Sequence, residues 1–338
     1  MTSGAASSTV DLGSGVHAID TLMSGYSGIT AGYLVLGDRP ALVETGTARS
    51  APIVRNALTA HGLGPGDLAT IVVTHIHLDH AGGVGDLARD YPRAEVVVHE
   101  AGARHIVDPS RLMASAERVY GPEMHDLFGP LLPTSAPRVR AVADRGTIDV
   151  GGGRTLSTYH SPGHARHHIA LFDDQSGDLY VGDAAGIYIP EADVVRPASP
   201  PPDFDLEIAL RSLQMFRDFA PRRLLFSHYG PVDHVAEVLE RSEEELRLWV
   251  SLVREARQQE LDLDHAVALV RDKTADRYAA IRADPELDEK FERLNSFAAN
   301  IVGINRWLDS VEETTHEFGD AAASPSSRPR STPEPPAR

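Results

Sequence analysis

This chain of 338 residues lacks several features, and each absence narrows its function. It has no cysteine, which excludes disulfides, thiolate metal ligands and a cysteine nucleophile. Its 32 Lys and Arg are outnumbered by 49 Asp and Glu, and the net charge of −17 argues against nucleic acid as a partner. No stretch approaches the roughly 20 apolar residues of a membrane span, and residues 1–20 lack the basic start and apolar core of a signal peptide. We therefore expect a cytoplasmic protein that does not associate with a membrane.

The densest group of candidate ligands lies at residues 74–83, which read THIHLDHAGG. It directly follows the apolar run at 69–73, which predicts a short buried strand. The group is therefore expected on the loop at the carboxyl end of a strand, where open α/β sheets usually place their sites.

Three imidazoles and one carboxylate fall within six residues of this group. His75 and His77 alternate on an extended backbone, so their side chains are expected to point the same way. The glycine-rich turn that follows can bring Asp79 and His80 back towards them. Imidazole and carboxylate ligands suit zinc, iron or manganese. The alternative is a polar turn that happens to be rich in histidine, which three histidines at this density disfavour.

Three further motifs follow in order along the chain: SPGH ending at His164, LYVGDA containing Asp183, and LLFSHYG containing His228. Together with the HxHxDH pattern of residues 75–80 they resemble the metallo-β-lactamase superfamily. The resemblance covers roughly residues 15–235. It implies an α+β fold, the four-layer αββα metallo-β-lactamase sandwich, here with a C-terminal helical extension.

The resemblance also implies two divalent metal ions held by seven histidine and aspartate ligands. The first ion takes His75, His77 and His164; the second takes Asp79, His80 and His228; Asp183 bridges both. Zinc is the expected metal, with iron and manganese as alternatives. Such a pair lowers the pKa of a shared water, and the bridging hydroxide attacks an electrophilic carbonyl or phosphorus. On this interpretation Asp79 and Asp183 are also catalytic residues.

Several residues near these motifs have roles that the sequence leaves open. His167 and His168 are adjacent on a predicted strand and should point to opposite faces. We predict His168 as a catalytic acid or substrate contact, with His167 as the weaker candidate. Glu44 occupies the place where the family usually has an aspartate that supports the metal loop; a surface glutamate is the alternative. Tyr188 and Tyr229 are favoured as packing residues.

The sequence divides into segments that differ in composition and in the periodicity of their apolar residues. Residues 1–14 predict a flexible N-terminus, and the resemblance implies that residues 15–235 form the catalytic domain. Residues 101–133 predict one or two inserted helices, which form either a lid over the site or a packed connection without substrate contact. Residues 236–318 predict a helical region, and residues 319–338 a disordered tail.

Apolar residues at three- and four-residue steps predict several helices towards the C-terminus. Amphipathic helices are expected at 205–219, 235–257 and 264–271, and one long helix carries the apolar residues from 291 to 308. The apolar faces of the C-terminal helices either pack on the sandwich or form a homodimer interface.

The leading functional hypothesis is a dinuclear metal-dependent hydrolase of the glyoxalase II, thioesterase and esterase type, acting on a small-molecule substrate. Lactonase and phosphotriesterase activities would use the same metals. A mononuclear iron persulfide dioxygenase is the alternative from another class, and a non-catalytic, metal-stabilised scaffold is the third. The sequence reveals no basic cluster of the kind expected to hold the carboxylates of glutathione.

Overall fold

The structure is a computed structural model that describes residues 9–322. The strands of this part are β1 (Thr9–Asp11), β2 (Val16–Asp20), β3 (Ala31–Val35), β4 (Ala41–Val43), β5 (Thr70–Val72), β6 (Glu95–His99), β7 (Val139–Val142), β8 (Arg145–Gly151), β9 (Arg154–His160), β10 (Ile169–Asp173), β11 (Asp178–Gly182), β12 (Ile187–Ile189), β13 (Val194–Arg196) and β14 (Arg223–Phe226). The α-helices of the same part are α1 (Ala51–Ala60), α2 (Leu78–Ala81), α3 (Val84–Asp90), α4 (Glu100–Val107), α5 (Ser110–Tyr120), α6 (Met124–Leu127), α7 (Leu206–Asp218), α8 (Val235–Gln258), α9 (Leu263–Lys273), α10 (Ala279–Arg282), α11 (Pro285–Leu294) and α12 (Phe297–Ala322).

Two larger sheets face each other in the described chain. The first has the strand order β1-β2-β3-β4-β5-β6-β7, with β4 to β7 parallel. The second has the order β14-β11-β10-β9-β8, with β11 and β14 parallel. Apolar side chains of both sheets form the core between them, where the rings of Tyr33 and Tyr180 meet edge to face at 5.4 Å.

Helices cover the outer face of each sheet. Helices α1 to α6 share a core with the first sheet that includes Leu58 and Val73. Helices α7 to α12 share another with the second sheet that includes Phe216, Trp249 and Phe226. This αββα arrangement confirms the predicted α+β sandwich with C-terminal helices.

The carboxyl ends of the central strands bring the sequence motifs to one edge of the sandwich. In the first sheet, β5 lies between β4 and β6 and ends just before residues 74–83. In the second sheet, the parallel neighbours β11 and β14 end just before Asp183 and Ser227-His228. Both halves of the sandwich therefore contribute residues to the same edge.

The C-terminal helices pack on the sandwich, with Trp249 and Ile304 in the same core as the second sheet. The single long helix predicted across 291–308 is wrong, because the chain breaks between α11 and α12. Asn295 Nδ2 donates to the carbonyl oxygen of Pro197 at 2.9 Å, and Ser296 Oγ accepts the first-turn N–H of Ala299 at 3.0 Å. Among residues 9–322 no helix has both the length and the apolar character needed to cross a bilayer.

Two segment boundaries and the number of helices in the insertion differ from their predictions. Thr9–Asp11, expected within the flexible N-terminus, pair with β2, whereas residues 1–8 lie outside the described residues. Helix α12 continues to Ala322, beyond the predicted start of the tail at 319, and residues 323–338 again lie outside. The insertion at 101–133 carries most of α4 together with α5 and α6, which is one α-helix more than predicted.

Candidate metal centre

Three imidazole nitrogens converge to form what we call the first trio. His75 Nε2 lies 3.0 Å from His77 Nδ1, and His164 Nε2 lies 3.2 and 3.0 Å from those two atoms. Ligand nitrogens of a tetrahedral zinc site, each about 2.0–2.1 Å from the metal, lie about 3.3 Å apart. The triangle formed by these nitrogens therefore fits one face of such a site.

Asp79, His80 and His228 form the second trio. The Nε2 atoms of His80 and His228 are 3.0 Å apart, and Asp79 Oδ2 lies 3.6 and 3.3 Å from them. Two nitrogens and one carboxylate oxygen suit a divalent transition metal.

Asp183 stands between the two trios. Its Oδ1 lies 3.5 Å from His80 Nε2 and 3.7 Å from His228 Nε2, while its Oδ2 lies 3.6 Å from His164 Nε2. Within the described chain, Oδ1 is buried without a hydrogen-bond partner. Such an oxygen is costly to bury, and a cation beside it would compensate for the lost solvation. The structure thus brings together all seven side chains that the sequence predicts as ligands.

Hydrogen bonds on the far side of two rings direct their lone pairs into the site. His164 Nδ1 lies 2.9 Å from the carbonyl oxygen of Ala198, and His228 Nδ1 lies 2.8 Å from that of Ile29. Because a carbonyl oxygen can only accept, each Nδ1 carries the proton and donates it. In the neutral form of each ring, Nε2 then carries the lone pair that a metal ligand requires.

Glu44 supports the metal loop from the adjacent strand end. Its side chain is fully buried; Oε1 accepts the N–H of Thr74 at 2.8 Å, and Oε2 lies 3.2 Å from His80 Nδ1. The surface alternative for Glu44 is therefore wrong. Its backbone has φ = +67°, in the left-handed region that glutamate rarely adopts.

The electrostatics of the site favour additional positive charge. Burial lowers the pKa of His77 to about 3, so its ring is neutral at pH 7. Burial alone would raise the pKa of Asp183, but the charges of His80 and His228 hold it well below its usual range. Conversely, burial would lower the pKa of His80, but Asp183 and Asp79 raise it well above its ordinary value. The buried carboxylates need cationic partners, a role that bound metal ions would fill.

The two adjacent histidines occupy different positions. His168 is fully buried, where its Nε2 accepts the backbone N–H of Asp183 at 3.2 Å and its Nδ1 lies 2.8 Å from Ser161 Oγ. This position does not fit the predicted role of acid or substrate contact, and we assign His168 to positioning Asp183. His167, the weaker candidate, instead lines the open cavity described below, and burial lowers its pKa to about 3.

Glycine at position 182 permits the close approach of Asp183 to the metal loop. Gly182 has φ = +51°, and a Cβ atom there would overlap His168 Nε2 and lie 2.6 Å from Thr74 Oγ1. A larger residue would push this strand end away from the loop.

The site opens into a cavity of about 650 Å³. Five predicted ligands line what we call its floor: His77, Asp79, His164, Asp183 and His228. The insertion lines one side of the cavity, which favours substrate contact over a packed connection without it. Closure of the insertion as a lid remains a prediction.

Sequence reasoning missed the cavity residues of the insertion, which include Arg104, Arg111, Ser115, Arg118 and Tyr120. The available signal was the seven-residue separation of Arg111 and Arg118, which places them on the same face of a helix. The packing interpretation of Tyr188 agrees with the structure, because its side chain is buried in the core shared by the second sheet and helices α7 to α12.

The family model of the metallo-beta-lactamase superfamily matches residues 25–228, and the chain belongs to that superfamily. The chain is 32% identical over 192 residues to the metallo-beta-lactamase fold-containing protein ST1585 of Sulfurisphaera tokodaii, covering 54% of this chain and 70% of that protein. It is 26% identical over 228 residues to the probable metallo-hydrolase YqjP of Bacillus subtilis, and the match covers 62% of this chain and 70% of that protein. The crystal structure of ST1585 from Sulfolobus tokodaii has the same fold, with a TM-score of 0.63, 23% identity and coverage of 86% of this chain and 98% of that one.

Shorter matches relate the chain to one protein named as a hydrolase and to another named as a thioesterase. It is 31% identical over 117 residues to a hydroxyacylglutathione hydrolase of Synechococcus, covering 35% of this chain and 34% of that protein. It is 30% identical over 126 residues to the acyl-coenzyme A thioesterase MBLAC2 of Gallus gallus, and the match covers 36% of this chain and 43% of that protein. With these hydrolase-named relatives, the superfamily places the chain generally among metal-dependent hydrolases.

Proposed function

We propose that this protein is a dinuclear metal-dependent hydrolase that cleaves an ester or thioester bond in a small-molecule substrate. The observation that carries the proposal is the position of Asp183, whose two oxygens face two separate trios on the floor of an open cavity. Divalent ions bound there would supply Lewis acidity and a water-derived nucleophile near neutral pH. The names of two relatives, a hydroxyacylglutathione hydrolase and an acyl-coenzyme A thioesterase, support the reaction class.

The chain's own residues would hold this centre in shape. Glu44 fixes the loop through Thr74 and orients His80, while His168 fixes the backbone of Asp183. Such supporting bonds typically contribute 10- to 100-fold in metal affinity or activity. Apolar cavity residues such as Leu112 would give an acyl group a surface to pack against.

The second trio favours this proposal over the mononuclear alternative. Asp79, His80 and His228 present their ligand atoms within 4.8 Å of one another. A persulfide dioxygenase with a single iron would leave this trio without a metal. Lactone and phosphotriester hydrolysis would use the same residues, so only substrates distinguish them from thioester hydrolysis.

Elemental analysis combined with a hydrolysis panel of thioesters, lactones, phosphotriesters and β-lactams tests the proposal. We expect two metal equivalents per chain, zinc foremost, and ester or thioester hydrolysis that a chelator abolishes. His77→Ala and His228→Ala should each remove about one equivalent, because they belong to different trios. His265→Ala, on the exposed surface of α9, is the matched control.

One equivalent of iron, with oxygen uptake on glutathione persulfide and no hydrolysis, would overturn the proposal in favour of the dioxygenase. Full metal loading with no turnover across the panel would instead support the non-catalytic scaffold.

A further inference from the structure

Arginines gather beside the cavity although the chain as a whole is acidic. The cavity is lined by Arg104 from α4, Arg111 and Arg118 from α5, and Arg166 from the segment before β10. Although the chain has a net charge of −17, these four arginines outnumber the three aspartates that line the same cavity, Asp79, Asp183 and Asp203.

Three of these arginines lack an acidic partner. Arg166 is paired with Asp203, with Nε 2.8 Å from Oδ1. For the other three, no carboxylate lies within 4.0 Å in the part of the chain that the structure describes. Arg104 Nε donates to the ring of His105 at 3.1 Å, and a neutral imidazole leaves the guanidinium charge uncompensated. We call Arg104, Arg111 and Arg118 the arginine wall.

The geometry of α5 suits an extended ligand. Arg111 and Arg118 are two helical turns apart on one face, about 10.5 Å along the axis. A guanidinium group presents a planar fork of N–H donors that matches carboxylate and phosphate oxygens. The wall and the floor line the same cavity, so one molecule can reach both.

We propose that the arginine wall binds an anionic group, phosphate or carboxylate, on the part of the substrate that lies away from the bond to be cleaved. This inference rests on the proposed function and names its substrate class: an anionic thioester or ester. The sequence reveals no basic cluster of the kind expected to hold the carboxylates of glutathione, because these three arginines come from two helices and line one cavity only in the folded chain.

Calorimetric binding of three thiols tests the wall without requiring turnover. Coenzyme A carries phosphates, glutathione carries carboxylates, and N-acetylcysteamine carries no charged group apart from its thiol. We expect the wild-type protein to bind one of the first two more tightly than the third. In Arg111→Gln/Arg118→Gln the dissociation constant of that anionic thiol should rise about 10-fold or more, because charge-assisted hydrogen bonds are lost. Raising the salt concentration should weaken the same binding.

Arg93→Gln is the matched control. Arg93 is exposed and precedes β6, at the opposite end of the strand from the site. The Arg93→Gln variant should bind all three thiols as tightly as the wild type does. Which anionic thiol loses affinity in the double variant distinguishes phosphate from carboxylate recognition.

Equal binding of all three thiols by the wild type, or unchanged binding in the double variant, would overturn the inference. Turnover of thioesters that carry the same acyl group on each of the three thiols separates the hydrolase proposal from the arginine-wall proposal. Hydrolysis with the same selectivity in the wild type and the double variant rejects the wall but keeps the hydrolase. No hydrolysis, together with arginine-dependent binding of an anionic thiol, rejects the hydrolase but keeps an anion-binding wall.

Discussion

Glu44→Ala should weaken both metal binding and the folded state, because two buried acceptors disappear at once. The N–H of Thr74 loses the oxygen that it reaches at 2.8 Å, and His80 Nδ1 loses a partner at 3.2 Å. A buried donor left without its acceptor costs about 1–3 kcal/mol in the free energy of unfolding. Loss of the group that orients a histidine ligand should lower metal affinity about 10- to 100-fold.

Urea unfolding of chelator-treated protein measures the first effect, and metal titration measures the second. Glu44→Gly separates backbone strain from the loss of the carboxylate. Because glycine tolerates φ = +67°, its free energy of unfolding should exceed that of Glu44→Ala by about 1 kcal/mol, while its metal affinity should stay as low. Glu95→Gln, at an exposed strand start, is the control and should behave like the wild type. Wild-type metal affinity and unfolding free energy in Glu44→Ala would refute the supporting role of Glu44.

Four further outcomes are expected. Asp183→Ala should lower turnover of any accepted substrate at least about 100-fold while circular dichroism stays that of the wild type; retained rates would remove its bridging role. His168→Ala should lower metal content without changing the shape of the pH–rate profile, and a lost limb of that profile would restore its role as an acid. Burial raises the pKa of Glu245 above its ordinary 4.5, so the folded state retains this proton to higher pH than the unfolded state. The free energy of unfolding should therefore fall as pH rises above 4.5. Glu245→Gln should flatten that pH dependence in urea unfolding, and an unchanged pH dependence would contradict the raised pKa. If the C-terminal helices form a homodimer interface in addition to packing on the sandwich, the protein should sediment at twice the chain mass, and Val302→Lys, on the exposed side of α12, should return it to a monomer; a wild type that is monomeric at every concentration would end that alternative.

The convergence of the candidate ligands could be predicted because each of them follows a strand end within a short, distinctive motif. His75 and His77 follow β5, and Asp183 and His228 follow the parallel pair β11 and β14. Helix α7 was predicted to within one residue at each end for a similarly local reason, since Asp205 Oδ1 accepts the N–H of Ile208 at 2.9 Å.

Features that depend on distant contacts could not be predicted in this way. His167 and His168 precede β10, which begins at Ile169, so strand alternation does not determine which of them faces the cavity. The helical spacing of Arg111 and Arg118 defines a shared face but not the direction in which that face points. The break at Asn295 depends on a bond to Pro197, almost a hundred residues earlier.

The candidate ligands come from both halves of the sandwich: His75 to His80 follow a strand of the first sheet, and His164, Asp183 and His228 follow strands of the second. A cation bound by residues of both halves would cross-link them. At a free concentration 100 times its dissociation constant, such a cation adds about 2.7 kcal/mol to the free energy of unfolding. Metal starvation of the cell would therefore reduce the amount of intact protein as well as its activity.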